Sequence, residues 1–107
     1  MEFLNDVTVV NNEEAHRFEA RLGNEMALIS YRRTGDRIAF RHAEVPVAFE
    51  GKGVAGKLAR AALDFARANK LQVVPVCPFV ASYIRKHAEY QDLLSPGDRE
   101  RLLAEPS

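Results

Sequence analysis

The sequence predicts an α+β domain: a mixed, mostly antiparallel sheet with one parallel β4-α-β5 crossover and flanking helices. Three observations predict it. In the first half of the chain, short β-prone runs lie between turn signals, and two of them alternate apolar and polar residues. A glycine-rich stretch, Gly51-Lys52-Gly53-Val54-Ala55-Gly56, then interrupts the pattern. After it the apolar period becomes that of a helix, and a β-branched run follows that helix.

Val7, Val9 and Val10 make a first β-prone run over Asp6–Val10, ended by the turn-forming pair Asn11-Asn12. From His16 to Leu22, Phe18, Ala20 and Leu22 alternate with Arg17, Glu19 and Arg21. Gly23-Asn24 turns the chain into Met26–Tyr31, apolar on both faces and so a central strand. Thr34-Gly35-Asp36 turns it again into Arg37–Val45, where Ile38, Phe40 and His42 share one face. Short turns between successive strands imply an antiparallel meander. Past the glycines, Val54, Leu58, Ala61, Ala62 and Phe65 form one helical stripe, and Asn69 is the expected stop. Leu71–Val76 reads as a buried strand. Cys77-Pro78 opens a helix to about Lys86, because proline is pre-organised for the first helical position. Ser95-Pro96-Gly97-Asp98 resembles a cap before a short helix, Arg99–Ala104. The helix between the fourth and fifth strands is a crossover, which makes that pair parallel. The expected organisation is one domain over residues 1–94, with a short C-terminal helix and tail at 95–107.

A chain of 107 residues, 47% hydrophobic and 28% charged, has material for a single core. Fifteen basic and fifteen acidic residues give a formal charge of +0. Nucleic-acid binding through phosphates asks for a basic excess, so the balance argues against that partner. One cysteine excludes an internal disulfide and a thiolate-built zinc site, and no metal is expected. A lone thiol suits a reducing compartment. No apolar run approaches the roughly 20 residues that span a bilayer, and the first ten residues lack the pattern of a secretory signal. The expectation is a cytoplasmic protein with no membrane partner.

The glycine stretch is the strongest chemical signal. Glycine lets backbone approach a ligand closely, and the helix that follows offers unsatisfied N–H groups and a partial positive charge. Together these make a seat for phosphate or diphosphate. Gly51 to Lys57 satisfies G-x-x-x-x-G-K, the start of a P-loop, but Leu58 stands where Ser or Thr must hold magnesium. Gly51, Gly53 and Gly56 satisfy G-x-G-x-x-G. However, four strands precede them, and the next strand ends at Val76-Cys77 instead of at an acidic residue. The third pattern is Glu50-x-x-Gly53-x-Ala55 between a fourth strand and its helix.

That third pattern resembles the Q/R-x-x-G-x-G/A loop of the GNAT superfamily of acyl-CoA N-acyltransferases, and the strand order matches that fold. Several further stretches are similar to the small YjdJ-type branch of the superfamily. They are His42-Ala43-Glu44-Val45-Pro46, Phe49 to Leu58, Ala62 to Ala66, Val74 to Val80 and His87 to Leu94. The likeness runs from about Phe18 to Leu94. Glu50 departs from the usual Gln or Arg, which leaves the phosphate contact to the backbone. The resemblance implies acetyl-CoA as co-substrate, entering where the fourth and fifth strands part. Its pantetheine arm would run along Val45, Pro46 and Val47, and its diphosphate would sit on Gly51, Lys52, Gly53, Val54, Ala55, Gly56 and Lys57. Lys52 and Lys57 read equally well as phosphate-facing or as ordinary solvated lysines.

Cys77, at a helix N-terminus, is placed where its thiolate is favoured, and the resembling branch has a cysteine considered catalytic in its Val-Pro-x-Cys stretch. A buried, space-filling thiol is the other reading of Cys77. For direct transfer an amine needs a general base, and Glu44 and His42 are the candidates, two residues apart on one strand. Tyr83 is near the place of the general acid of many GNAT enzymes, and His87 and Tyr90 read as shaping the chain after the last helix. The function expected is N-acetyl transfer to an amine, with small molecules, polyamines and protein lysines all open as acceptors. A non-catalytic acyl-CoA-binding or interaction module is the alternative, and the oligomeric state is open.

Overall fold

The computed structural model describes residues 7–49, 51 and 53–104, with the side chain of Leu22 excepted. Glu50 and Lys52 lie outside the described residues, as does Asp6 at the start of the first expected strand. Five strands form one sheet in chain order: β1 (Val9–Asn12), β2 (Arg17–Leu22), β3 (Glu25–Thr34), β4 (Arg37–Glu44) and β5 (Gln72–Pro75). The first four pair antiparallel, and β5 joins β4 in parallel across helix α1 (Val54–Ala68). Helices α2 (Pro78–Lys86) and α3 (Pro96–Ala104) follow, separated by a 3-10 segment, Ala88–Leu93. The fold class and strand order are those the sequence predicts. Among the described residues no helix is long and apolar enough to cross a membrane.

Principal extents of 41 × 32 × 19 Å fit a sheet with a single helical layer on one face. That face carries Phe18, Ala20, Ala27, Ile29, Ile38, Phe40 and Val73, all buried. Phe18 joins the strands to the helix: its ring lies 5.5 Å from Phe65, 5.4 Å from Tyr31 and 6.5 Å from Phe40. The buried stripe of α1 is Val54, Leu58, Ala59, Ala62, Leu63 and Ala66. It is turned slightly from the expected one, and Ala61 and Phe65 sit half-buried at its margin. Helix ends follow the sequence signals. Asn69 is the C-cap of α1, Pro78 opens α2, and Ser95 Oγ accepts from the Asp98 amide at 3.2 Å to cap α3. That last helix begins at Pro96, three residues before the expected Arg99.

Two strand readings are corrected. Asn11 and Asn12 belong to β1, and the turn falls at residues 13–16. Their side chains have partners within the sheet: Asn11 Oδ1 accepts from the Tyr31 hydroxyl at 2.7 Å, and Asn12 Nδ2 donates to Glu19 at 3.0 Å. The second correction concerns β4. Tyr31 pairs with Phe40 and Ser30 pairs with His42, so Arg41 is an extra residue and the strand bulges there. The bulge reverses the alternation. Ile38 and Phe40 face the core, whereas His42 and Glu44 share the opposite face with Ser30 and Leu28.

On that opposite face Glu19 is buried, with a bond from Arg17 Nε at 2.5 Å and Arg21 at 3.6 Å. The hydrogen bonds from Arg17 and Asn12 hold its carboxyl below the usual carboxylate range, against the opposing effect of burial. A lowered folded-state pKa gives stability that is present above the ordinary value and lost as pH falls through the folded one. Glu19→Gln is therefore expected to cost about 1–2 kcal/mol at neutral pH. Thermal melts of both proteins across pH check this: the Tm gap should close below about pH 4. A gap that stays constant into acid would contradict the ion-pair origin.

Candidate active site

The parallel ladder between β4 and β5 is short. It runs from Arg37–Gln72 to Phe40–Pro75, and its last tie is the Cys77 amide donating to the Phe40 carbonyl at 2.8 Å. Pro75 has no N–H to extend it, and the bulge at Arg41 bends β4 at the same level. From Arg41 to Glu44, β4 continues against β3 alone. Because the two strands are parallel, the segments after both of them leave from the same end. Val47 follows one and Val76 the other, at 80% and 58% exposed, so apolar side chains stand in solvent on both sides of the parting.

The glycine stretch lies at that end. Phe49, 1% exposed, anchors a 3-10 turn, Val47–Phe49, whose Phe49 amide donates to the Pro46 carbonyl at 2.9 Å. Gly51 and Gly53 have φ of 77° and 76°, the left-handed region that side chains resist. Gly53 is the N-cap of α1 and offers no side chain to cap it. The first helical bond runs from the Lys57 amide to the Gly53 carbonyl at 3.1 Å, so the amides of Val54, Ala55 and Gly56 precede it. The buried side chain of Val54 pins this turn, and the first turn carries no acidic residue. Such a donor set, at the positive end of a 15-residue helix, fits a diphosphate. It does not fit a P-loop: Leu58, where the metal-holding hydroxyl belongs, is fully buried.

The other expected residues divide. His42 Nε2 and Glu44 Oε2 are 2.9 Å apart, with side chains 60% and 62% exposed, on the strand segment that β5 leaves unpaired. Val45 and Pro46 are half-buried beyond them. Cys77 is the N-cap of α2, as its sequence position indicates, but its thiol is buried, 2% exposed. Lys57 Nζ donates to the Val7 carbonyl, so its ammonium ties the segment just before β1 to α1. Lys52 lies outside the described residues. Tyr83 packs beside Gly56, where an added Cβ would lie 3.8 Å from its Cε2. Its ring stacks on His87 at 3.9 Å. Tyr90 donates to Asp64 at 2.8 Å. Burial, reinforced by that carboxylate, pushes its pKa up to about 12, so at neutral pH it is a fixed donor. His87 and Tyr90 thus have the shaping role read from the sequence.

A further cleft beside His42 is not legible in the sequence. A cleft of about 690 Å³ opens on β3 and β4 beside His42, walled by Ser30, Arg32, Arg33 and Arg41 and, from the β1–β2 turn, His16. No glycine or proline marks the bulge that assembles it. The one available signal was the clustering of Arg32, Arg33, Arg37 and Arg41 on two adjoining strands.

Comparison with known proteins agrees with this geometry. A family profile described as GCN5-related N-acetyl-transferase matches residues 17–93, from β2 through the 3-10 segment before α3. Protein NATD1 of Mus musculus is 32% identical over 95 residues, covering 84% of this chain and 86% of its own. The Homo sapiens protein of that name is also 32% identical over 95 residues, with 84% of each chain covered. The Danio rerio one is 28% identical over 87 residues, covering 77% and 79%. With the profile spanning most of the domain and the strand order and glycine loop in place, the chain belongs to the GCN5-related N-acetyltransferase family.

Proposed function

We propose that this protein is an acetyl-CoA-dependent N-acetyltransferase that transfers the acetyl group directly to an amine. The observation that carries the reading is the coincidence, at one end of the sheet, of parted parallel strands with an uncapped helix N-terminus entered through left-handed glycines. Bound acetyl-CoA supplies an acyl thioester. The amides of Val54, Ala55 and Gly56 donate to its diphosphate, which gains from the helix dipole. Val45, Pro46 and Val47 line its arm.

An amine is mostly protonated at neutral pH and must lose a proton before it can attack. Glu44 holds Nε2 of His42, which leaves Nδ1 to take that proton directly or through one water. The carboxylate then stabilises the imidazolium. The amine nitrogen bonds to the thioester carbonyl carbon, the C–S bond breaks, and the departing CoA thiolate is protonated from the imidazolium or from solvent. Burial of Cys77 favours this direct route over acylation of its thiol.

The test combines a CoA thermal shift, intact mass after incubation with acetyl-CoA, and thiol release across an amine panel. Expected are a clear thermal shift, no stable acetyl adduct and turnover that survives Cys77→Ala. His42→Ala should lower kcat by about 10²-fold or more with the thermal shift retained. An adduct lost in Cys77→Ala would replace the direct route with the covalent one. A thermal shift with no turnover of any amine would leave a CoA-binding module, and no shift at all would overturn the reading.

A further inference from the structure

We infer that the acceptor is a small primary amine that also carries an anionic group, phosphate or carboxylate, seated in the arginine-walled cleft beside His42. This deepens the acetyltransferase reading and rests on it. The cleft, about 690 Å³, is of the size that takes a small molecule, and it reaches the imidazole assigned to the amine's proton. None of its lining residues is a carboxylate. Arg32 and Arg41 are exposed and, among the described residues, have no ion-pair partner. Four of the arginines outside the cleft do have carboxylate partners: Arg17 and Arg21 pair with Glu19, Arg67 with Asp92, and Arg101 with Asp98. Arg33 lies over the Phe65 ring, 5.8 Å from its centroid.

The cleft is not basic because the protein is basic, since the chain as a whole has a formal charge of +0. Its positive lining is local. Guanidinium groups match phosphate and carboxylate oxygens in a two-pronged geometry, whereas a second ammonium in the same cleft is repelled. The register sets the span. Ser30 stands opposite His42, and Arg32 follows two residues along β3 on the same face, so the backbone positions of His42 and Arg32 are diagonal neighbours roughly 8 Å apart. An amine a few bonds from its acidic group bridges that distance. A polyamine or a lysine-rich peptide offers the wrong charge.

Matched acceptors test this: O-phosphoethanolamine against ethanolamine, glycine against glycinamide, and spermidine as the cationic case. Thiol release from acetyl-CoA should favour the anionic member of each pair by at least about tenfold in kcat/KM, with spermidine poorest. The two pairs separate phosphate from carboxylate. In the double variant Arg32→Ala, Arg41→Ala the ratio within the favoured pair should collapse to near one. Preference for the neutral or cationic acceptor, or a ratio that survives in the double variant, overturns the proposal. Calorimetric binding of O-phosphoethanolamine and glycine gives a readout independent of turnover. At least one should bind the wild type and lose binding in Arg41→Glu. If neither binds while CoA still shifts the Tm, the anionic acceptor is wrong and the acetyltransferase reading stands. Loss of the CoA shift itself strikes the acetyltransferase reading instead.

Discussion

Gly53→Val is expected to abolish the thermal shift produced by CoA while the domain stays folded. Gly53 caps α1 at φ 76°, and a β-branched side chain there costs about 1–2 kcal/mol or more. The chain relieves that strain by rotating the residue out of the left-handed region. The amides of Val54, Ala55 and Gly56 turn with it, because they follow directly and have no capping side chain to hold them. CoA affinity should fall at least tenfold, a loss of about 1.4 kcal/mol. Gly23→Val is the matched control. Gly23 has φ 63° in the β2–β3 turn, so it carries similar backbone strain away from the site. It should lower Tm and leave the CoA shift intact. Equal CoA shifts in the two variants would remove the loop from the binding site.

Phe40→Ala should be the most destabilising single change in the sheet, at about 3–5 kcal/mol. Its ring is fully buried, 6.5 Å from Phe18 and 6.4 Å from Tyr31, and its carbonyl makes the last tie to the segment after β5. The substitution leaves a cavity at the level where β4 and β5 part. For a domain with a total stability of roughly 5–15 kcal/mol, that loss lowers Tm by more than about 10 °C. Urea unfolding measures it, and Val47→Ala, at an 80% exposed position, should move the midpoint hardly at all. A small effect of Phe40→Ala would mean that the parting of the strands does not depend on this core contact.

The elements and their order were readable because each is signalled locally: alternation for the strands, a period change for α1, proline after Cys77 for α2 and Ser95 for the α3 cap. The glycine loop was readable because two of its residues adopt a conformation that only glycine takes freely. The bulge at Arg41 was not. Nothing in Ala39-Phe40-Arg41-His42 departs from strand chemistry, and the extra residue is set by pairing with β3 and by the end of β5 at Pro75. Strict alternation therefore puts His42 on the wrong face, although two-residue spacing correctly places it beside Glu44. The local propensity of Asn11 and Asn12 is that of a turn. Their partners, Tyr31 and Glu19, are distant in sequence. The same holds for Lys57, whose acceptor lies fifty residues away at Val7. The arginine cleft is a further case, since it exists only once the turn at residues 13–16, β3 and the bulged β4 are side by side.

The loss expected in Gly53→Val can be read residue by residue in the wild type. With ¹⁵N-labelled protein titrated to saturation with CoA, the amide signals of Val54, Ala55 and Gly56 should show the largest shifts in the domain, as free N–H groups gain charged acceptors. At the same CoA concentrations the Gly53→Val signals should shift far less. Saturation reached with those three signals unmoved, and with the shifts gathered on another surface, would contradict the account.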